Sequence, residues 1–114
     1  MHMEVNSLSG NLICVRLSGR MDAAGAGRVG VPFAAQVAAA DGDALIDLSG
    51  VSFIASMGIR LLLSTARDLD RKGNKLVLFG ACDLVHEVLE QAAIDRIIPL
   101  VATEREAMAQ FGTA

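Results

Sequence analysis

Ser56 stands where the stretch Ser49-Gly50-Val51-Ser52-Phe53-Ile54 gives way to a run with helical periodicity. Its hydroxyl therefore falls at a loop-to-helix junction, a position that is normally accessible from outside the fold. A serine before a helix can cap it through its side-chain oxygen, and Ser56 is expected to be the N-cap of a helix reaching Arg71. The same hydroxyl is suited to phosphorylation, which adds about −1.5 to −2 charges. A helix N-terminus accepts such charge with ~0.3–1 kcal/mol of stabilisation. A protein packed over the site would instead have to bury an unpaired dianion, at a cost of several kcal/mol. A fold that survives the charge and a complex that does not make an on-off switch.

Other reactive side chains do not assemble into a chemistry. His86 lies near Glu87 and Glu90 on a helical run, but no nucleophile stands at a readable spacing, so a solvated face accounts for them and no enzyme is indicated. Cys14 and Cys82 sit in apolar stretches without C-x-x-C spacing or a neighbouring histidine. Zinc requires about four N or S ligands, so two buried thiols in a reducing cytoplasm are expected, with no metal and no cofactor. The run Gly25-Ala26-Gly27-Arg28-Val29-Gly30 lacks the order and spacing of a dinucleotide fingerprint. A formal net charge of −3 and a pI near 5.2 leave no basic field for phosphates. Four scattered phenylalanines, with no Trp or Tyr, offer no stacking platform. Nucleic acid is thereby excluded as a partner. Neither a signal peptide nor an apolar run of about 18 residues is present, so membrane insertion is not expected.

The elements that must position Ser56 can be read from periodicity. With 114 residues, 53% hydrophobic and 20% charged, the chain supports one core, and 1–114 is taken as a single domain. Met1-His2-Met3 resembles a cloning remnant and carries no functional weight. Met3 to Leu8 and Leu12 to Leu17 alternate as a hairpin around Ser9-Gly10-Asn11, closed by Ser18-Gly19. Asp22 to Ala40 is a helix capped by Asp22, loosened by Gly25, Gly27 and Gly30 and firmer from Pro32 onward. Ala44 to Leu48 is a short buried strand. In the helix from Ser56 to Arg71, Ile59, Leu62, Leu63, Ala66 and Leu69 share one side, while Arg60, Ser64, Arg67 and Arg71 face away. Lys75 to Phe79 is a strand, Asp83 to Ala92 a helix burying Leu84, Val85, Val88 and Leu89, and a last strand lies around Ile97 to Leu100. Thr103 and Glu106 form a capping box for a final helix. Alternating strands and helices after a hairpin predict an α/β fold with a mixed sheet of four to five strands and helices packed mainly on one face.

The segment Asp47-Leu48-Ser49-Gly50-Val51-Ser52-Phe53-Ile54-Ala55-Ser56-Met57-Gly58-Ile59 resembles the STAS signature D-L-S-x-V-x-F-[IM]-D-S-S-G-[LI]. Leu17-Ser18-Gly19-Arg20-Met21-Asp22 resembles the family's L-x-G-E-L-D, and Ile94 to Leu100 with Glu104 to Met108 is similar to its C-terminal end. The resemblance to a bacterial STAS domain of the anti-sigma factor antagonist type thus covers nearly the whole chain. It implies partner switching. The unphosphorylated form would bind an anti-sigma factor that is also a serine kinase of histidine-kinase-like ATPase fold, and phosphorylation at Ser56 would release it. A PP2C-type phosphatase is the implied means of resetting. The partner-binding surface would comprise Asp22, Ser56, Met57, Gly58 and Arg60. Three positions depart from the pattern: Ala55 replaces the usual aspartate, Met57 removes the second hydroxyl, and Arg60 replaces a small residue. Arg60, one turn from Ser56, is placed to pair with a phosphate. The same departures leave open a STAS scaffold without phosphorylation, as in a stressosome or a lipid-transport ABC complex, docking through Arg60, Arg67 and Arg71.

Overall fold

One row of apolar residues runs across the sheet and shows how the sequence builds it. In the computed structural model, which describes residues 1–8 and 10–111, Val5, Val15, Ile46, Leu78 and Leu100 are successive cross-strand partners. Their strands are β1 (His2–Ser7), β2 (Ile13–Met21), β3 (Ala44–Ile54), β4 (Leu76–Phe79) and β5 (Leu100–Val101), in that spatial order. The β1–β2 hairpin is antiparallel and the remaining pairs are parallel. Helical crossovers supply the parallel connections: α1 (Ala23–Ala40), α2 (Ser56–Arg71) and α3 (Asp83–Gln91), the last followed by a 3₁₀ turn at Ile94–Arg96. All three lie over the face that carries this row, with Phe33, Val37, Leu62, Leu69, Val85 and Leu89 buried against it. Each such side chain, fully buried, contributes about 1.5–3 kcal/mol.

The opposite face presents Cys14, Leu45, Val77 and Phe79, covered by α4 (Glu104–Ala109) through Ala107. Thr103 caps α4, its Oγ1 accepting from the Glu106 N–H at 3.2 Å, while Glu106 Oε2 accepts from the Ala102 N–H at 3.3 Å. Three helices on one face and one on the other agree with the predicted α/β architecture.

Several local expectations are corrected. Ser18-Gly19 does not end β2, nor Leu48 β3. The two strands run on together, pairing Ser18 with Gly50 and Met21 with Ile54 across two register shifts. A side chain at Gly50 would place its Cβ 2.7 Å from that of Ser18, so glycine permits the approach. α1 is one continuous helix with Pro32 in its interior. Gly25 does not loosen it but lets it pack, because a Cβ there would collide with the Arg20 carbonyl. Met1 and Met3 pack against the core and His2 pairs with Ser18. The last strand is Leu100–Val101, since the chain first makes the 3₁₀ turn. Leu84 is exposed, as is Cys82, which lies at the N-cap of α3 rather than inside the core. Cys14 is buried, and that burial pushes its thiol up to about 11.

Candidate functional site

The ends of β2 and β3 make the platform. Met21 and Ile54 are paired and almost fully buried, and the Ala55 N–H donates to the Met21 carbonyl at 3.0 Å. That bond holds Ala55 extended, at φ −116 and ψ −179, so the helix begins one residue later. Ala55 is therefore the N-cap of α2 and Ser56 its first helical residue, which corrects the expected position of the cap. No side chain caps this end. The Ser56 hydroxyl is exposed and has no structural task, while the first-turn N–H groups lack intrahelical acceptors.

Gly58 brings the first turn down onto the platform. A Cβ there would lie 2.8 Å from Met21 Cγ and 2.9 Å from Ile54 Cγ1, both belonging to buried residues. Met57 consequently points outward and is 45% exposed, beside the exposed Ser56. Arg60, one turn further on, is exposed and makes no ion pair among the described residues.

Asp22 follows Met21 directly and caps α1, its Oδ1 accepting from the Gly25 N–H at 2.8 Å. Arg20 Nε lies 3.5 Å from Asp22 Oδ2. The Gly25 N–H foremost, and then Arg20, hold the Asp22 carboxyl below the usual carboxylate range despite some desolvation. Asp22 is thus ionised at neutral pH. Of the five residues expected at the partner surface, Asp22 at the head of α1 and Ser56, Met57 and Arg60 on the first turns of α2 reach solvent, whereas Gly58 is buried and instead seats that turn on the platform.

Two features escaped the sequence reading. Arg20 lies over the Phe53 ring, 4.5 Å from its centroid, which adds a cation–π contact to the rim. Asp47, which opens the signature, is buried and structural. Its Oδ2 accepts from Arg16 Nε at 3.0 Å and its Oδ1 from the Ser49 N–H at 2.9 Å, and Glu4 stands 3.9 Å from Arg16. Burial pushes its carboxyl up, but Ser49 and Arg16 outweigh this and hold it below the usual range. The available signal was a lone carboxylate inside the apolar run Ala44 to Leu48. No group of three or more His, Cys, Asp or Glu among the described residues is placed to hold a metal ion, and no helix among them is long and apolar enough to cross a membrane.

Residues 3–107 match the model of the STAS domain. BtrV of Bordetella bronchiseptica, a candidate anti-sigma factor antagonist, is 31% identical over 114 residues, which span 100% of this chain and 97% of that protein. An anti-sigma factor antagonist from Mycobacterium paratuberculosis superposes with a TM-score of 0.86 at 24% identity, over 96% of this chain and 92% of the other. The anti-sigma factor antagonist SpoIIAA in its unphosphorylated form gives 0.80 at 19% identity, over 99% and 98% of the two chains. With the match running through both strand ends and the head of α2, the chain belongs to the STAS domain family, of the anti-sigma factor antagonist type.

Proposed function

We propose that this protein is a partner switch in which Ser56 is the phosphoacceptor and the surface formed by Asp22, Ser56, Met57 and Arg60, seated by the buried Gly58, binds an anti-sigma factor. The observation that carries this is the freedom of Ser56: exposed, outside any cap, and the first residue of a helix whose N-terminus has no side-chain cap. A phosphate there meets the positive end of α2, so folding is little disturbed. A protein seated on Met57 and Ser56 meets a new dianion.

In this reading the unmodified form captures an anti-sigma factor that is itself a serine kinase, and the modified form lets it go. A PP2C-type phosphatase returns the protein to its binding state. The protein performs no chemistry of its own. Met57 in place of a second hydroxyl leaves Ser56 as the one hydroxyl on the first turn of α2. Incubation with the cognate kinase and ATP, followed by peptide mass spectrometry, should find phosphate on Ser56 and none on the Ser56→Ala variant. Phosphate retained in that variant removes Ser56 from the mechanism.

A further inference from the structure

The far end of α2 carries a second surface. An open groove of about 720 Å³ lies between the C-terminal half of α2, the start of β4 and the loop ahead of β5. Arg67 is eleven residues along the helix from Ser56, roughly 16 Å of rise at about 1.5 Å per residue, so the groove is separate from the phosphorylation surface.

Its lining is charged against the trend of the molecule. The chain carries a net charge of −3, yet Arg67, Arg71 and Lys75 border this groove with Asp70 as the single carboxylate. Arg67 makes no ion pair among the described residues. Arg71 is held by Asp68 at 2.7 Å, but both side chains are mostly exposed, and a surface pair worth about 0–1 kcal/mol exchanges readily for a competing carboxylate. Lys75 Nζ reaches Gln110 Oε1 only at 3.5 Å. Ile97 and Pro99 complete the wall, and Ile97 is 62% exposed, an apolar side chain beside a row of cations.

We propose that this groove docks an acidic segment of a partner protein. Its carboxylates pair with Arg67, Arg71 and Lys75, and one apolar side chain seats against Ile97 and Pro99. Charge complementarity selects the acid, and the apolar wall selects a polypeptide over a small anion, which would leave Ile97 in water. The site is independent of the state of Ser56 and gives a partner a foothold that phosphorylation does not remove.

The test is a titration of the full ¹⁵N-labelled chain with a blocked octapeptide of Asp, Glu and Leu, followed by amide chemical shifts. Saturable shifts should cluster at residues 66–76 and 97–99, and should be unchanged in Ser56→Asp. Arg67→Glu/Lys75→Glu, and the milder Arg67→Gln, should weaken binding, the double variant at least tenfold, with melting temperatures unchanged. Replacing the peptide's Leu by Ser should weaken binding as well. Absence of saturation in the millimolar range overturns the proposal, as does equal response to a peptide with Lys in place of the acids. Displacement by pyrophosphate together with indifference to the Leu would make this a small-anion site and sink the polypeptide reading.

Discussion

Gly58 and Thr65 show two opposite ways in which single atoms of α2 meet the core. At Gly58 there is no room: Met21 Cγ, Ile54 Cγ1 and the Met21 carbonyl all lie within 3.1 Å of where a Cβ would be. Alanine gains up to about 1 kcal/mol in helix propensity, but overpacking typically costs ~1–3 kcal/mol. Gly58→Ala should therefore lose stability by roughly 1 kcal/mol in urea unfolding and tilt the head of the helix. A variant as stable as the wild type would mean that Met21 moves aside easily. At Thr65 it is the chemistry that is incomplete, since its Oγ1 is buried without a hydrogen-bond partner. Thr65→Val keeps the shape and removes the orphan hydroxyl, whose burial costs about 1–3 kcal/mol. The melting temperature should rise; a fall would reveal a bound water that serves the hydroxyl. Neither feature is legible from the helical stripe, which places Ile59, Leu62, Leu63, Ala66 and Leu69 inward and is silent about Gly58 and Thr65. The cap of α2 was misplaced by one residue for a similar reason. A hydrogen bond between Ala55 and Met21, remote in sequence, decides where the helix starts.

Among the elements, β2 and β3 do the positioning, and their length was the least legible feature. Ser18-Gly19 reads as the end of a strand and Ser49 to Ile54 as a loop ahead of the helix, yet both lie within strands because the other strand lies alongside. The strand cores and the order of helices were legible, because alternation and helical stripes report burial directly. The Glu4–Arg16–Asp47 row crosses β1, β2 and β3 and ties the hairpin to the parallel part of the sheet. Asp47 titrates below the usual carboxylate range in the folded state. A depressed value means that its contribution is present above the unfolded-state pKa of about 3.9 and is lost as pH falls through the folded-state value. Asp47→Asn should therefore be less stable than wild type at neutral pH, with the difference shrinking as the pH is lowered below about 4. Urea unfolding across that range checks it. A difference that stays constant would assign the loss to packing rather than charge.

For the molecule as a whole, the test of the proposed function is whether binding at the head of α2 separates from folding. Ser56→Asp places one negative charge on the first residue of α2, where the helix dipole and unpaired N–H groups accept it. The charge touches no buried side chain, because Ser56 is exposed and its hydroxyl caps nothing. The melting temperature should stay close to that of the wild type. If the proposed interface is right, the same charge would face an anti-sigma factor across Met57, and binding should weaken at least tenfold, about 1.4 kcal/mol. Arg60 stands one helical turn away without an ion pair among the described residues, so it partly neutralises the new carboxylate from within. Removing it should expose the full charge, and Ser56→Asp/Arg60→Ala should bind more weakly than Ser56→Asp alone. Calorimetric titration against the anti-sigma factor and a thermal melt measure the two halves separately. A Ser56→Asp variant that binds like the wild type would favour a permanently docked scaffold, and one that unfolds would make Ser56 a structural residue after all.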